Sequence, residues 1–468
     1  MSKIKRMLAA LLAASMLVTV FASCGDSEES SGETSQGGEE SSGLQAADVA
    51  YGDDMDLSAI AEQYDGETIS IWAWWGVTTD EQKKMDVFTE KTGVTFDWQI
   101  LTYEEYFDQV VTAVSGGGGP DIGYLGEAQM PTWALKNIIL PISDYMDFND
   151  LPFELSPSGT EAYSFNGKTY CLVDGNGQTH KMFYRKSAFR NMGVEDPLDV
   201  FNRGEWTWNK FVEMGREITY DSDGDGAVDK YAYWAWPRFQ WFSSNGTSTI
   251  GFDESGMPYF AMGEPAAMES MQFIRDLTDT GAYKIQAPWM MDHDPQQDLI
   301  AGRTAMDYSG DWSLGDLENE GYRSQIGEDL GFVPCPVGPS YTGEAMMADY
   351  GSESGEFMGA GSSHPELVAI WLQFKRLPLN AETEAEDQAK AAELELYKYG
   401  DEAGIELSHE MAKHGVYDLA LGYGKLGTIV DNILNDTAST PAQALEANRA
   451  AAENQINKTM EDAASVQQ

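Results

Sequence analysis

The chain has 468 residues and carries 77 acidic residues against 29 Lys and Arg, which gives a formal net charge of −48. This excess of negative charge repels phosphate backbones and anionic lipid headgroups, so it excludes nucleic-acid binding and electrostatic docking to a membrane. With 42 % hydrophobic residues the chain is not wholly disordered, and its three cysteines are too few for a disulfide scaffold or a cysteine-based zinc module.

Residues 1–23 have the pattern of an export signal. Three basic residues precede the apolar stretch 7–22, which is shorter than the ~20 residues that a membrane span needs. The stretch ends in small residues directly before Cys24 and resembles the bacterial lipobox, in which the cysteine is lipidated. We therefore predict a lipid anchor at Cys24. The alternative is ordinary signal cleavage beside a chance cysteine.

Residues 24–50 form a segment rich in acidic residues, Ser and Gly, and they include no basic residue. Such a composition cannot bury enough apolar surface to fold, so we predict a disordered tether. A flexible chain of this length spans on the order of 25–30 Å. The tether would therefore hold a folded body away from a membrane surface.

The folded body opens with alternating strands and helices. We predict strands over Thr68–Trp74, Val94–Trp98 and Ile122–Tyr124, and helices from Thr79 to Gly93 and over Tyr103–Ser115. This order indicates βαβ units and a parallel sheet. Ligands of such sheets bind beyond the carboxyl ends of the strands. Trp75 and Glu127 each follow a strand and lie at that expected edge.

Later segments give further local predictions. Asn166-Gly167 predicts a hairpin turn, and Thr207 is a good N-cap. Residues 381–413 and 441–465 are rich in helix formers and predict helices. The remaining cysteines lie in short apolar stretches, and we favour buried free thiols over a disulfide between Cys171 and Cys335.

An acidic loop has the spacing of a calcium site. Oxygen ligands stand at loop positions 1, 3, 5 and 9 as Asp221, Asp223, Asp225 and Asp229, and a glycine stands at position 6. Position 12 is Ala232, where the full EF-hand motif has a bidentate glutamate. We predict a structural Ca²⁺ site, with an acidic turn as the alternative. No other cofactor is expected.

Nine short motifs stand in order over residues 66–377. They are Ile69–Trp72, Phe88–Gly93, Gly119–Ile122, Phe165–Tyr170, Phe183–Lys186, Trp206–Trp208, Ala301–Met306, Val333–Pro336 and His364–Leu367. Together they resemble the extracellular solute-binding proteins of ABC importers, family 1, the carbohydrate-binding family that includes maltose-binding protein. The lipobox and the tether resemble the Gram-positive form of these receptors.

The resemblance implies an α/β protein with the two-lobed, type II periplasmic-binding-protein fold and a ligand cleft between the lobes. Three hinge crossings would fall near Asp174–Asn176, Tyr308–Asp311 and Gly361–His364. Lobe 1 would then comprise residues 51–175 and 311–362, and lobe 2 would comprise residues 176–310 and 363–468.

The resemblance also implies a function. The chain would be a monomeric lipoprotein on the extracellular face of the membrane that captures a carbohydrate, an oligosaccharide, and delivers it to the permease subunits of an ABC importer. Hinge closure needs no catalysis, so an enzyme is not expected. The alternatives are a secreted glycoside hydrolase and another type of surface lipoprotein. The sequence has neither a nucleophile elbow nor an HExxH motif, and its five histidines are scattered.

Candidate ligand-binding residues follow from the chemistry of sugars, whose C–H faces stack on aromatic rings and whose hydroxyls pair with carboxylates. The predicted rings are Trp75, Trp236, Trp241, Trp312, Tyr350 and Tyr423, and the predicted carboxylates are Glu127 and Asp174. Core packing or an exposed surface position is the alternative for each. Leu125 replaces a Trp of maltose-binding protein, so a maltose-like ligand is not implied.

Overall fold

The computed structural model describes residues 51–149, 151–174, 179–235, 239–281, 283–285, 294–343, 349–350 and 355–466. Of residues 127, 283–285, 349–350 and 463–466 only the backbone is described. The predicted export signal, Cys24 and the predicted tether lie outside these residues. Among the helices of the described ranges, none is long and apolar enough to cross a membrane.

The described residues form strands at the following positions: β1 (Thr68–Ala73), β2 (Thr95–Ile100), β3 (Ile122–Leu125), β4 (Ile139–Leu140), β5 (Ser164–Phe165), β6 (Lys168–Thr169), β7 (Cys171–Leu172), β8 (His180–Arg185), β9 (Tyr231–Ala235), β10 (Ile250–Phe252), β11 (Pro258–Phe260), β12 (Tyr283–Ile285), β13 (Thr304–Gly310), β14 (Leu330–Val333), β15 (Asp349–Tyr350), β16 (Gly355–Gly359) and β17 (Gly415–Val416).

The helices in the same ranges are α1 (Ser58–Tyr64), α2 (Thr79–Thr92), α3 (Tyr103–Ser115), α4 (Thr132–Leu135), α5 (Pro157–Ala162), α6 (Lys186–Met192), α7 (Pro197–Asn202), α8 (Trp208–Glu217), α9 (Gln240–Ser243), α10 (Pro265–Asp279), α11 (Pro295–Ile300), α12 (Tyr322–Ile326), α13 (Pro365–Phe374), α14 (Ala381–Tyr399), α15 (Glu402–Ala412), α16 (Leu426–Asn435) and α17 (Pro441–Val466). Short 3-10 helices lie at Gly52–Asp54, Glu127–Gln129, Ile142–Asp144, Ala261–Gly263, Asp311–Leu314, Gly327–Asp329 and Leu419–Gly422.

Lobe 1 is built on a sheet with the strand order β2-β1-β3-β16-β4, and β7 also pairs with β16. Strand β1 is parallel to β2 and β3, whereas β16 is antiparallel to β3, β4 and β7. Ile69 and Ile71 of β1 are buried against Phe88 of α2 and Trp371 of α13. Burying apolar side chains of this size stabilises the lobe by roughly 1.5–3 kcal/mol each.

Lobe 2 is built on a second sheet with the strand order β12-β9-β13-β8-β14. Strands β12, β9 and β13 are parallel, and β8 and β14 are antiparallel to their neighbours. One face of the sheet packs on helices that include α8, α10, α16 and α17, and its core contains Trp206, Phe211 and Trp241. The other face buries Phe183, Leu314 and Tyr322.

The predicted α/β order of lobe 1 is confirmed, and its local signals account for it. Helix α2 begins after Thr78, whose side chain accepts a hydrogen bond from Glu81 N, and ends at Gly93, whose φ is 76°. The N-cap is therefore Thr78, and the helix starts at Thr79 as predicted. Asn166 and Gly167 both have positive φ, as a two-residue hairpin turn between β5 and β6 requires.

The lobe boundaries differ from the predicted ones. Strand β14 pairs with β8, so residues 311–337 lie with lobe 2, although we predicted residues 311–362 for lobe 1. Helix α13 packs in the core of lobe 1, so the third crossing does not fall at Gly361–His364. The chain crosses between residues 174 and 179, returns between 343 and 355, and crosses again along α14. The sequence marks strands but not their hydrogen-bond partners, which is why two crossings were misplaced.

Helix α14 makes contacts with both lobes. Near its start, Asn380 donates a hydrogen bond to Asp53 over 2.9 Å, and Tyr51 donates one to Glu384 over 3.0 Å. At its end, the Tyr399 ring lies 5.8 Å from the Phe332 ring of lobe 2. The helix therefore links the two lobes along its length. Cys171 is buried in lobe 1 and Cys335 in lobe 2, and both are free thiols, as predicted.

Candidate ligand-binding cleft

The carboxyl edges of the two sheets are adjacent along the chain. Strand β7 runs parallel to β3, because both are antiparallel to β16, and it leaves lobe 1 at the carboxyl edge of the first sheet. Strand β8 then starts at His180, which pairs with Gly310 at the carboxyl end of β13. Only a few residues separate the two edges along the chain. They therefore border a common cleft, the usual place for ligands of open α/β sheets.

The lobe 1 edge carries a packed group of aromatic rings. Trp75 is half-buried, and its ring centroid lies 4.4 Å from that of Tyr124 and 4.8 Å from that of Trp74. Trp74 also packs edge-on against Tyr103, which is 55 % exposed. Trp98 donates its indole N–H to the Trp75 carbonyl over 2.9 Å. These contacts fix the Trp75 ring and leave part of it accessible at the cleft.

A buried carboxylate lies directly behind these rings. Glu356 is 3 % exposed, and Tyr124 donates its hydroxyl to Glu356 Oε1 over 3.1 Å. Lys375 donates to Glu356 Oε1 over 2.8 Å, and the Arg376 guanidinium lies 2.8 Å from Oε2. Burial opposes ionisation of Glu356, but the two cations outweigh it and lower the pKa of this carboxyl to about 2. Glu356 is therefore ionised at neutral pH.

The same network reaches the first crossing. Arg376 donates its Nε–H to Asp174 over 2.6 Å, and Asp174 is the last described residue before the chain leaves lobe 1. The Asp174 side chain is 69 % exposed, whereas that of Arg376 is 8 % exposed. Asp174 therefore lies at the hinge side of the cleft, where its free oxygen is accessible to a ligand hydroxyl.

The lobe 2 edge carries one exposed indole. Trp312 lies in the 3-10 helix that follows β13, and it is 48 % exposed. Its ring packs across Gly310, and it meets the His180 ring edge-on with centroids 5.0 Å apart. An indole that is held on one side and open on the other is a stacking surface for an apolar ligand face.

A buried ion pair supports the segment that carries Trp312. Lys181 lies 2.7 Å from Asp311 Oδ1, and the two side chains are 0 % and 3 % exposed. Asp311 also accepts a hydrogen bond from Thr179 N over 3.1 Å, and its own N–H donates to the Thr179 carbonyl over 3.1 Å. The first described residue of lobe 2 is therefore tied to the residue directly before Trp312.

The two lobes also touch beside the cleft. Thr132 of lobe 1 donates its hydroxyl to the Gly422 carbonyl and accepts a hydrogen bond from Gly424 N over 3.3 Å. The Tyr163 ring of lobe 1 lies 6.0 Å from the Tyr417 ring. The segment after β3 thus packs on the loop that precedes α16.

The structure separates the predicted binding residues into groups. Trp75, Asp174 and Trp312 lie at the cleft edges described above. Trp241 is fully buried, 5.4 Å from Phe211 between ring centroids, and presents no face to solvent.

Tyr423 is 2 % exposed, and burial raises the pKa of its hydroxyl. Trp241 and Tyr423 therefore both lie in the core of lobe 2. Trp236 lies outside the described residues, and the backbone alone is described at Glu127 and Tyr350. The roles of these three residues stay predictions.

Sequence reasoning missed the charged groups behind the rings. Glu356 is separated from Lys375 and Arg376 by a helix, and nothing in the spacing shows that they meet. The basic pair directly after the apolar helix α13 was the one available signal. His180 and Gly310 were also missed, because their importance depends on where the Trp312 ring lies.

The acidic loop brings three of its four predicted ligands together. Carboxylate oxygens of Asp221, Asp223 and Asp225 lie within 4.8 Å of one another. Backbone N–H groups of Gly226 and Gly224 donate to Asp221 and lower the pKa of its carboxyl. Asp229 accepts hydrogen bonds from Ser222 instead, and it is not part of this group. Three converging carboxylates suit a hard cation such as Ca²⁺.

Comparison with known proteins defines the class. The profile of the bacterial extracellular solute-binding proteins matches residues 75–374, and the chain belongs to this family. A binding protein of Brucella abortus is 22 % identical over 267 residues, which are 56 % of this chain and 60 % of that protein. The chain thus spans about three fifths of the length of the curated relatives that it matches.

Solved structures share the fold. An ABC substrate-binding protein of Listeria monocytogenes, in complex with cycloalternan, has a TM-score of 0.62 at 18 % identity, over 84 % of this chain and 98 % of that one. UgpB of Mycobacterium tuberculosis, in complex with glycerophosphocholine, has a TM-score of 0.63 at 16 % identity, over 84 % and 99 %. The two-lobed fold predicted from the sequence is confirmed.

Proposed function

We propose that this chain captures an oligosaccharide between its lobes and delivers it to the membrane subunits of an ABC importer, without chemical change to the ligand. The observation that carries the proposal is the exposed Trp312 ring, which follows β13 at the carboxyl edge of the lobe 2 sheet and packs on His180. A pyranose ring has two C–H-rich faces, and stacking on indoles removes that apolar surface from water. Rings on both lobes let one ligand hold the lobes together.

Two relatives with the same fold suggest different ligand classes, a cyclic oligosaccharide and a phosphodiester. A phosphodiester needs a cation that is free to pair with it. At the described cleft edges, Lys181 is paired with Asp311, and Lys375 and Arg376 are paired with Glu356. The net charge of −48 also repels anions. These charges favour a neutral sugar over a phosphodiester.

Capture would proceed by hinge closure. In two-lobed proteins a rotation of one lobe against the other occurs at the points where the chain passes between the lobes. A ligand that contacts both lobes binds the closed arrangement better than the open one, and it shifts the population toward the closed form by that difference in affinity. The closed, loaded form is then the one that the permease would recognise.

A panel of neutral oligosaccharides in a thermal-shift experiment tests this function, with glycerophosphocholine as the anionic-headgroup comparison. We expect at least one oligosaccharide to raise the melting temperature, because a ligand of the native state stabilises it by mass action. Chromatography of the incubated sugar should show it intact. A shift with glycerophosphocholine alone, or cleavage of the sugar, would contradict the proposal.

We also propose that the chain is a monomeric lipoprotein anchored through Cys24 on the extracellular face of a Gram-positive-type membrane. A lipid-modified cysteine and a tether of 26 or so residues would keep the body near its permease. Cys24→Ala should release the protein into the medium, and Ser23→Ala should leave it with the membrane because a small residue is kept before the cysteine. Membrane retention of Cys24→Ala would refute the anchor.

For the acidic loop we propose a structural Ca²⁺ ion held by Asp221, Asp223 and Asp225. Chelation should lower the melting temperature of the intact protein, and Asp223→Ala should remove this sensitivity. Asp253→Ala is the matched control, because Asp253 closes another exposed turn through Ser255 and Met257. Identical melting with and without chelator would leave the loop as an acidic turn.

A further inference from the structure

The orientation of the Trp312 ring depends on a residue that has no side chain. Trp312 lies two residues after Gly310, and its benzo ring lies across the Gly310 Cα. A Cβ atom placed at residue 310 would overlap ring atoms Cζ3, Cε3 and Cη2, three consecutive atoms of the benzo ring. Any side chain at position 310 therefore displaces this ring.

The backbone at Gly310 does not itself require glycine. Its φ is −82° and its ψ is 168°, which is ordinary extended conformation that any L-residue adopts. Substitution by alanine is therefore free of backbone strain, and the three atoms nearest to its Cβ all belong to the indole. This separates Gly310 from glycines that are needed for a positive φ.

The other contacts of the ring hold it from the side. His180 is 3 % exposed and meets Trp312 edge-on at 88°. The His180 ring is in turn stacked on Tyr308, which is fully buried, with centroids 5.3 Å apart and an interplanar angle of 10°. His180, stacked on Tyr308, therefore packs beside the indole, and the Gly310 backbone packs against the indole face.

We propose that Gly310 is a positioning residue for ligand binding, which rests on the proposed function of the cleft. The empty Cβ position lets the Trp312 indole lie flat on the backbone, so that one face is covered and the opposite face is presented to a sugar. A ring fixed before the ligand arrives loses little conformational entropy on binding, and this raises affinity. A side chain at 310 tilts the ring away from this orientation without removing it.

The test uses three variants of the full chain: Gly310→Ala, Trp312→Ala and the double variant. Gly331→Ala is the matched control, because a Cβ there would overlap Tyr184 in the same sheet, inside lobe 2. Without ligand, Gly310→Ala should lower the melting temperature, and adding Trp312→Ala should restore it, because the indole that conflicts with the new methyl group is gone. A double variant as unstable as Gly310→Ala would overturn the steric assignment.

Affinity for the oligosaccharide found in the thermal-shift panel gives the second readout. Gly310→Ala should weaken binding by about tenfold, less than the about thirtyfold of Trp312→Ala because the ring is displaced and not removed, and Gly331→Ala should leave affinity unchanged. In the Trp312→Ala background, Gly310→Ala should change affinity by less than about twofold, because both act through one ring. Additive losses, or unchanged affinity in Gly310→Ala, would overturn the proposal. If no oligosaccharide binds the wild type, the proposed function fails, while the rescue of stability still decides the steric claim.

Discussion

The two edges of the cleft present their aromatic rings in different ways. On lobe 1, Trp75 is half-buried against Tyr124 and Trp74, and Tyr124 donates a hydrogen bond to the buried Glu356. On lobe 2, Trp312 is 48 % exposed and packs on Gly310 and His180. The lobe 1 ring therefore stabilises the fold and contributes to the site, whereas the lobe 2 ring contributes little to the stability of the fold. Substitution of the lobe 1 ring should lower both stability and affinity, and substitution of the lobe 2 ring should lower affinity alone.

The two lobes also differ in the charge state of a buried carboxyl group. Glu356 of lobe 1 is compensated by Lys375 and Arg376. Asp307 of lobe 2 is fully buried and accepts a hydrogen bond from the Tyr322 hydroxyl, and burial raises the pKa of this carboxyl to about 7. The charge of Asp294 raises it further. Lobe 1 is thus most stable with its carboxylate ionised, and lobe 2 with Asp307 protonated.

The largest expected effect is that of Glu356→Gln. This change removes the carboxylate that Lys375 and Arg376 share and leaves them Glu81 and Asp174 as partners. We therefore expect a loss at the lower end of the about 3–5 kcal/mol in unfolding free energy that breaking a buried ion pair from one side costs. Urea unfolding measures it. Glu195→Gln is the control, because Glu195 forms an exposed pair with Arg203, and it should change stability little. Equal effects of the two substitutions would contradict the role given to Glu356.

Trp75→Ala should reduce both stability and affinity. The ring packs on two neighbours, so we expect a loss of about 2 kcal/mol in unfolding free energy, less than the 3–5 kcal/mol of a fully buried Trp. Calorimetric titration with the bound oligosaccharide should also show weaker binding. A variant that keeps its full stability and loses only affinity would erase the contrast between the two edges.

Trp312→Ala should reduce the affinity for the ligand without reducing the stability of the fold. Truncation of an aromatic anchor costs about 2 kcal/mol of binding, or about thirtyfold in Kd. The melting temperature without ligand should stay close to that of the wild type, because half of the ring is already exposed. A large drop in melting temperature with affinity intact would assign Trp312 to the core of lobe 2.

The pH dependence of stability should also differ between the lobes. The folded-state pKa of Asp307 is raised, so its contribution to stability is present below pH 4 and is lost as pH rises toward 7, by at most about 1.4 kcal/mol per pH unit. The folded-state pKa of Glu356 is lowered, so its contribution is present above about pH 4.5 and is lost as pH falls toward 2. Asp307→Asn should therefore flatten the fall in stability between pH 4 and 7. Urea unfolding across this range measures the slope, and an unchanged slope would contradict the assignment.

The sequence predicts local structure and the order of elements better than it predicts contacts between distant residues. Gly93 and Asn166-Gly167 act within a few residues, so the helix end and the hairpin turn at these positions were predictable. Trp75 was found because it directly follows a predicted strand, and Trp312 was found because it follows a hinge crossing that the family resemblance implies.

Other features depend on contacts between distant segments. Whether Trp241 and Tyr423 lie in the core depends on helices far along the chain, and the pairing of β14 with β8 decides to which lobe residues 311–337 belong. The hydrophobic periodicity of the sequence shows neither which rings are buried in the core nor which strands pair. The Glu356 network was not predictable for the same reason.

A crystal structure of the full chain with the oligosaccharide selected by the thermal-shift panel tests the central claim most directly. We predict that a sugar ring lies parallel to the Trp312 indole, on the face opposite Gly310, with the aromatic edge of lobe 1 on the other side of the ligand. A sugar bound elsewhere, with the Trp312 face still open to solvent, would contradict the claim.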